Sequence, residues 1–186
     1  MTLGQSMLVI GAITLLGILV LNANSTLLQT NETMNTSEFG ITSVSLATSL
    51  VEEAMGKMFD EVIADSNTGT LTLPSQLSAT LGPDGAESYR NGALDFNDFD
   101  DFNNIFLVFK SSVPADTAKT PGSTMEIVVP GIRAKYFVKA KANYVEYTNL
   151  NGIAASRTWH KKLTVEVTSP SSKDTLRFPA VMSYWN

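Results

Sequence analysis

The stretch that decides the fold is residues 1–21, MTLGQSMLVIGAITLLGILVL. From Met7 to Leu21 only Thr14 is polar, and no lysine or arginine occurs before Lys57. A helix of this length rises about 31 Å at ~1.5 Å per residue, close to the ~30 Å hydrocarbon thickness of a bilayer. The segment is therefore predicted to be an apolar helix that can just span a membrane.

Three ordinary kinds of apolar N-terminal segment fit this stretch less well. A secretory signal needs a basic start and a small-residue cleavage site, and Leu21-Asn22-Ala23 is a poor cleavage sequence. A permanent signal anchor normally has flanking positive charge, and a buried core helix at the extreme N-terminus would lack partners on its upstream side. The missing charge is better explained if a short basic leader has been removed, which makes Met1 a processed N-terminus.

The start Met1-Thr2-Leu3-Gly4-Gln5, followed by the apolar run, resembles the N-terminus of mature type IV pilins. The resemblance covers residues 1 to about 60 well and the rest only in general architecture. It implies that a prepilin peptidase cuts after a leader glycine and methylates Met1. The inner membrane would then hold the subunit until the pilus assembly machinery moves it into a filament. The implied partner is the chain itself, in a helical homopolymer, with DNA or surfaces as further ligands and no small-molecule substrate.

Position 5 departs from that family. Its members usually carry a glutamate there, which pairs with a neighbouring subunit's N-terminal amine in the filament core, whereas this chain has Gln5. An amide costs less to bury than an unpaired carboxylate and can still accept a hydrogen bond. Met1 and Gln5 are therefore the predicted assembly residues. They are expected to fix the position of neighbouring subunits less strongly than a glutamate at position 5 would.

The apolar helix half is predicted to line the filament core and to be weakest at its glycines. The family's frequent proline at position 22 is Asn22 here, so Gly11 and Gly17 are the predicted points where the helix can stretch or melt. The predicted filament-core side chains are Leu3, Leu8, Val9, Ile10, Ile13, Leu16 and Leu19.

Beyond the apolar run the sequence predicts a second helix half and then a head. The parts are predicted at 1–22 for the apolar half, 23–65 for an amphipathic half and 66–186 for a globular head. In the amphipathic half, apolar residues recur at three- and four-residue steps, as in a helix with one buried face. The predicted stripe consists of Ile41, Val44, Val51, Met55, Met58 and Val62, with Thr48 in one gap, and is widened by Leu46, Leu50 and Phe59. No proline occurs before Pro74, so one helix is predicted to run to about Ala64.

The segment Asn22–Thr36 is rich in Thr, Asn and Ser, with Glu32 as its only charge. These residue types have poor helix propensity, so neighbours are expected to support the helix there. The segment also contains three N-x-S/T sequons, at Asn24, Asn31 and Asn35, which are candidate glycosylation sites.

The head is predicted to be a small antiparallel sheet. Ile132–Tyr147, Trp159–Thr168 and Thr175–Trp185 combine β-branched and aromatic residues with two-residue alternation, and turn clusters separate them. Met125–Val129 and Ile105–Phe109 are predicted as short additional strands. The predicted fold class is α+β, with a long N-terminal α-helix packed on a small antiparallel β-sheet head. Since the chain has no cysteine, its C-terminus is expected to be held by strand pairing alone.

The densest cluster of polar residues is the acidic loop 95–104, DFNDFDDFNN. Oxygen ligands at this spacing suit a hard cation, so Asp95, Asp98, Asp100 and Asp101 form a candidate Ca²⁺ site. The spacing does not match an EF-hand, because no glycine or glutamate follows in register. The favoured alternative is a solvated acidic loop whose phenylalanines pack on the head while Asp and Asn form turns.

Basic residues concentrate in the last third of the chain. Lys135, Lys139 and Lys141 alternate along one predicted strand, and Lys161 is expected across from them on the surface. Such a face could touch DNA or acidic neighbours, but lysines that keep a sheet edge soluble are commoner. His160 is the only histidine and is expected to be structural or exposed.

The composition favours a structural protein over an enzyme. The absence of cysteine and the single histidine exclude thiol chemistry and Cys- or His-rich metal sites. No phosphate loop, nucleophile elbow or paired catalytic carboxylate occurs, and the net charge of −5 argues against a nucleic-acid binder at the level of the whole chain. The predicted function is the structural subunit of an extracellular type IV pilus-like filament. The alternatives are a minor pilin, a secretion-system pseudopilin, an archaeal pilus subunit, or a membrane-anchored binding domain that does not polymerise.

Overall fold

The structure is a computed structural model. It describes residues 2–65, 70–84, 87, 89–90, 93–111 and 124–185, in two compact units that comprise residues 1–41 and 42–186. Met1, one of the predicted assembly residues, lies outside the described residues. The first unit is helical from Leu3 onward, and the second contains the end of that helix and all of the described strands.

Helix α1 spans Leu3–Met55. It keeps helical geometry through Gly11, Gly17 and Asn22, so the predicted weak points do not interrupt it here. It ends earlier than the predicted Ala64, because Gly56 follows Met55 and donates its N–H to the carbonyls of Glu52 and Glu53 at 3.1 and 3.2 Å. Glycine is the residue that most often terminates a helix. A separate short helix, α2, spans Glu61–Asp65.

The predicted apolar stripe of the amphipathic half coincides with the buried face only in part, since Leu50 and Phe59 are buried as predicted. Within residues 42–186, the buried side chains of α1 are Ser43, Ala47, Leu50 and Ala54. Four of the predicted stripe residues, Ile41, Val44, Met55 and Met58, are instead exposed. The buried set has helical spacing but mostly small side chains. A hydrophobicity pattern gives little weight to Ser and Ala, which is why Ser43, Ala47 and Ala54 were not predicted to be buried.

The strands number seven in the described part of the chain. A two-residue hairpin pairs β1 (Tyr89–Arg90) with β2 (Ala93–Leu94). The main sheet contains β3 (Ile105–Lys110), β4 (Thr124–Val128), β5 (Tyr136–Tyr144), β6 (His160–Thr168) and β7 (Leu176–Ser183). Its order is β4-β3-β5-β6-β7, and every pair is antiparallel except β3–β4, which is parallel. The α+β prediction is confirmed, with one parallel pair that the strand patterns did not show.

Alternation along the two central strands separates the core from the outer face. The inward side chains of β5 are Tyr136, Val138, Ala140, Ala142 and Tyr144, and those of β6 are Lys161, Leu163, Val165 and Val167. The pairs Val138–Val167, Ala140–Val165 and Ala142–Leu163 lie opposite each other across the two strands. At the open edge of the sheet, β7 carries Pro179 opposite Thr164. A proline is tolerated there because an edge strand has one side without a partner.

The C-terminus is held by more than strand pairing. Beyond the end of β7, the N–H of Tyr184 donates to the carbonyl of Trp159 at 2.9 Å. The Tyr184 ring stacks on the Trp159 ring at 5.2 Å between centroids and lies 5.8 Å from the Phe59 ring. The hydroxyl of Tyr184 accepts a hydrogen bond from the N–H of Leu71 at 3.3 Å. Aromatic packing therefore supplies the tie that a disulfide could have provided.

Candidate functional site

The first part of α1 exposes an unbroken apolar surface. Every described side chain from residue 2 to residue 38 is exposed, and Leu3 and Leu16 have 84% and 62% of their surface accessible. The large apolar side chains up to residue 21 are Leu3, Met7, Leu8, Val9, Ile10, Ile13, Leu15, Leu16, Ile18, Leu19, Val20 and Leu21. Because they include runs of consecutive positions, they surround the helix instead of forming one stripe. By length and composition α1 can cross a membrane, with a mean hydropathy of 2.3 in its most apolar window.

Five threonine hydroxyls of α1 are satisfied within the helix. Thr14 Oγ1 donates to the Gly11 carbonyl oxygen at 2.9 Å. In the polar stretch that follows, Thr26, Thr30, Thr33 and Thr36 each donate to the carbonyl oxygen four residues earlier, also at 2.9 Å. Such back-bonding is available to Ser and Thr in helices. These five hydroxyls therefore need no hydrogen-bond partner from outside the helix.

Gln5 has a local partner at the start of the helix. The N–H of Thr2 donates to Gln5 Oε1 at 3.2 Å, and the N–H of Gln5 donates back to the Thr2 carbonyl oxygen at 2.9 Å. This reciprocal pair satisfies groups that a helix start leaves open. The role predicted for Gln5 between subunits stays a prediction, and the capping contact shows that its amide oxygen is available as an acceptor near the N-terminus.

The three sequons lie on one side of α1. Asn24, Asn31 and Asn35 are separated by seven and four residues, spacings that return to nearly the same direction on an α-helix. All three side chains are exposed. Glycosylation at these positions stays a prediction, but any attached groups would project from a single side of the helix.

Lys161 is buried, and its prediction as a surface residue was wrong. It is fully inaccessible to solvent, on the inner face of β6. Its Nζ donates to the Phe59 carbonyl oxygen at 2.8 Å and to Asp60 Oδ2 at 2.7 Å, and it also contacts Asp100 Oδ1. The rings of Phe59 and Tyr144 have their centroids 4.8 and 5.4 Å from the same nitrogen. Lys161 thus has two carboxyl groups and two aromatic rings around it.

The two carboxyl groups at Lys161 are in different electrostatic states. Burial raises the pKa of Asp60, but the Lys161 ammonium and hydrogen bonds from Ser78 outweigh it and hold that pKa below its usual range. Asp60 also accepts a hydrogen bond from the Tyr144 hydroxyl at 3.2 Å. For Asp100, burial raises the pKa by more than Lys161 lowers it, so its net shift is upward. Asp60 therefore favours its ionised form, whereas Asp100 is the more readily protonated of the two.

The acidic loop 95–104 is mostly buried, so the prediction that it is solvated was wrong. Phe96, Phe99 and Phe102 pack in the core as predicted, and Asp98, Asp100 and Asp101 are buried with them, while Asp95 is exposed. Asp98 Oδ1 accepts from the N–H groups of Asp100 and Asp101 at 2.8 and 3.0 Å, and Asp101 Oδ2 accepts from those of Asn97 and Asp98 at 3.0 Å. The predicted turn role of the aspartates is therefore confirmed.

The candidate Ca²⁺ site gains no support from this geometry. The oxygens of Asp98, Asp100 and Asp101 are directed at backbone N–H groups and at Lys161, while Asp95 is exposed. In the described part of the chain, no three Asp, Glu, His or Cys side chains converge as a metal-ligand group. Because Ca²⁺ requires six to eight oxygen ligands, the four aspartates do not fit the ion as arranged here.

No protein-family model matches the chain, and neither the curated proteins nor the solved structures provide a significant match. The architecture is what the structure establishes. A long apolar N-terminal helix precedes a small, mostly antiparallel sheet, an arrangement compatible with pilin-like proteins and with membrane anchoring.

The outer face of the sheet carries both positively and negatively charged side chains. Lys139 and Lys141 are exposed on β5 as predicted, and Lys139 Nζ lies 5.5 Å from the centroid of the Phe106 ring. Glu166 lies between Lys139 and Arg177 on this face. It is opposite Lys139 in the sheet, and its Oε2 lies 3.1 Å from Arg177 Nε. DNA binding by this face stays a prediction. His160 Nδ1 is 2.7 Å from the Ser183 hydroxyl oxygen, a strand-to-strand contact of the structural kind that the sequence suggested.

Asp98 is expected to make the head less stable as the pH rises. Burial, with Asp100 and Asp101 nearby, raises the pKa of Asp98 to about 8 from 3.8. The stabilisation linked to its protonated form is complete below pH 4 and is lost as the pH rises towards 8. Asp98→Asn keeps the Oδ1 acceptor but removes the ionisation. We expect it to raise the free energy of unfolding at pH 8, on the order of a few kcal/mol, with little change at pH 4.

Thermal denaturation of the detergent-solubilised chain between pH 4 and pH 8 measures this effect. Asp95→Asn is the matched control, because Asp95 is exposed and its replacement should leave the pH profile unchanged. Parallel pH profiles for the wild-type and Asp98→Asn proteins would contradict the assignment to Asp98.

Proposed function

We propose that this chain is the structural subunit of an extracellular type IV pilus-like filament, polymerised through α1 and held in the inner membrane before assembly. The observation that carries the proposal is the apolar surface that surrounds the first part of α1. Monomeric soluble proteins rarely expose contiguous apolar patches above a few hundred Å². Burying ~1000 Å² of this surface would contribute roughly 25 kcal/mol before the costs of ordering, enough to hold a non-covalent polymer together.

Lipid alone would cover too little of the helix. Its side chains are exposed as far as residue 38, which at ~1.5 Å per residue corresponds to about 55 Å of helix, whereas the hydrocarbon layer is ~30 Å thick. The remainder is rich in Thr, Asn and Ser, and an isolated helix of such residues is marginal in water. Copies of α1 packed side by side would cover both parts.

Charge distribution also favours a helix that leaves the membrane. The chain has no lysine or arginine before Lys57, and from residue 22 to residue 38 only Glu32 and Glu38 are charged. Flanking positive charges are what fix a permanent membrane helix in its orientation. The back-bonded threonines support the same conclusion, since these four side chains can enter a dry helix bundle with their hydroxyls satisfied.

Photo-crosslinking distinguishes copies from lipid as the cover of the apolar surface. With benzoyl-phenylalanine in place of Leu16, irradiation of the native surface fraction is expected to give a ladder of covalent multimers. A side chain in the filament core lies within reach of a neighbouring copy. The same variant dispersed in detergent is the control and should yield only the monomer band.

Electron microscopy of that fraction should show filaments. Dispersed single molecules, with irradiation products limited to lipid adducts, would exclude the filament and leave the membrane-anchored binding domain. Low abundance in a sheared surface fraction, with filaments built mainly of another protein, would indicate a minor pilin or pseudopilin.

A further inference from the structure

We propose that Lys161 and Asp100 become joined by an intramolecular amide bond between Lys161 Nζ and Asp100 Cγ, with Asp60 as the proton acceptor. The link would be a covalent modification of the folded chain that needs no enzyme. It does not rest on filament formation, because all three residues belong to the unit that comprises residues 42–186.

The fold brings the three groups together from separate elements. Lys161 lies on the inner face of the central strand β6, Asp100 begins the 3₁₀ turn Asp100–Phe102, and Asp60 lies just before α2. The Lys161 nitrogen contacts a carboxyl oxygen of each aspartate. Reacting groups held this way have effective concentrations of about 10⁵–10⁸ M in well-oriented intramolecular reactions.

Water is excluded from the site. Lys161 and Asp60 are fully inaccessible and Asp100 has 2% of its side-chain surface accessible. The rings of Phe59 and Tyr144 complete the enclosure. In bulk water an amine and a carboxylic acid stay ionised and unreactive. Here burial raises the pKa of Asp100 and keeps out the water that would drive hydrolysis.

Hydrogen bonding selects Asp100 as the reacting carboxyl group and Asp60 as the base. Asp60 accepts from the Ser78 N–H at 3.1 Å, from the Ser78 hydroxyl at 2.9 Å and from the Tyr144 hydroxyl at 3.2 Å. These donors favour the ionised form of Asp60, so Asp60 is a poor electrophile and is present as the carboxylate to which Lys161 can pass a proton. Asp100 has a raised pKa, caused first by burial. Its protonated form is the form that an amine can attack.

The atoms and charges of the reaction balance within this trio. The Lys161 ammonium gives one proton to the Asp60 carboxylate, and the freed lone pair attacks Cγ of the Asp100 carboxylic acid. The C–N bond forms and one C–O bond breaks. The departing oxygen leaves as water with the acid's own proton and a second proton from the nitrogen, so the nitrogen keeps one proton as the amide N–H. The reaction also eliminates a buried ammonium, whose desolvation is costly.

Peptide mass spectrometry of the native protein tests the link. The expected result is a branched peptide that joins the Asp100 and Lys161 segments and is lighter than its two parts by one water molecule. Trypsin should also fail to cut after Lys161 in the denatured protein while cutting after Lys162. Separate peptides of unmodified mass, with cleavage after Lys161, would overturn the proposal and identify the trio as an ion pair only.

Variants test the role of each residue. Lys161→Met and Asp100→Ala should give separate peptides whose masses show no loss of water. Lys162→Met, a change on the same strand, should keep the branched peptide. Asp60→Asn should slow the appearance of the link in newly made protein, by tenfold or more for a lost proton acceptor. A branch that joins Lys161 to Asp60 instead of Asp100 would overturn the assignment. The wild-type measurement stands even if a variant fails to fold.

Discussion

Leu16→Arg is expected to abolish filament formation while leaving the head folded. Leu16 lies near the middle of the apolar run and has 62% of its surface accessible. Arginine at the centre of a membrane helix costs about 2.5–3.5 kcal/mol on an insertion scale. In a filament every subunit would bring such a charge into the same apolar core, where it has no partner. Electron microscopy of the surface fraction measures the loss.

The control for this experiment is Leu16→Met, which keeps apolar character and volume and should assemble normally. The tryptophan fluorescence melting curve of the detergent-solubilised Leu16→Arg protein should match that of the wild type. Trp159, which stacks on Tyr184, lies in the unit that does not contain Leu16. Filaments at normal yield from Leu16→Arg would refute polymerisation through α1.

Lys161→Ala is expected to lower the free energy of unfolding by about 3–5 kcal/mol, the cost of removing one partner from a buried charge cluster. Asp60 and Asp100 both contact the Lys161 nitrogen, and both would lose this buried cation. The Phe59 carbonyl oxygen would lose a donor as well. Chemical denaturation of the solubilised chain, followed by tryptophan fluorescence, measures the change. A loss of this size is a large fraction of the 5–15 kcal/mol typical of folded domains.

The neighbouring residue provides the comparison. Lys162→Ala removes an exposed side chain that donates only to Leu150 and Asn151, and exposed polar contacts contribute roughly 0–1 kcal/mol. Equal stability losses for the two alanine variants would mean that burial of Lys161 has no energetic importance. The large loss is expected whether the lysine is held as an ion or through an amide bond, because both forms need its nitrogen.

The elements of the fold could be predicted because their patterns are local. All five strands of the main sheet lie within the ranges indicated by alternation and turn clusters, apart from one-residue extensions at Thr124 and Lys110. The apolar run predicted the first part of α1 for the same reason. The parallel pairing of β3 with β4 could not be predicted, since it depends on a crossover that neither strand's sequence records.

The buried cluster could have been found from the register of β6. Leu163, Val165 and Val167 form the apolar phase of that strand, and Lys161 lies in the same phase, two residues earlier. Side chains two residues apart point to one face of a sheet, so the alternation predicts that Lys161 lies on the buried face. The general preference of lysine for the surface outweighed that pattern. Its partners could not be predicted, because Asp60 and Asp100 are distant in sequence.

The burial of the acidic loop 95–104 could not be predicted from local patterns either. Its phenylalanines were predicted to pack inward, and three buried rings draw the intervening aspartates in with them. Composition alone treats such aspartates as solvated. Their burial depends on the backbone N–H groups of the 3₁₀ turn Asp100–Phe102 and on Lys161, and neither can be recognised in a strand or helix pattern.

Pro179 limits how this molecule can join others. Edge strands recruit further strands through a row of open N–H and C=O groups, and a chain laid along β7 would meet no donor at the middle of that row. Growth of a continuous intermolecular sheet from this edge is therefore interrupted at its centre, as in proteins that resist amyloid-like stacking. The molecule thus blocks ribbon-like association along β7, while the lengthwise contacts available to α1 are unaffected.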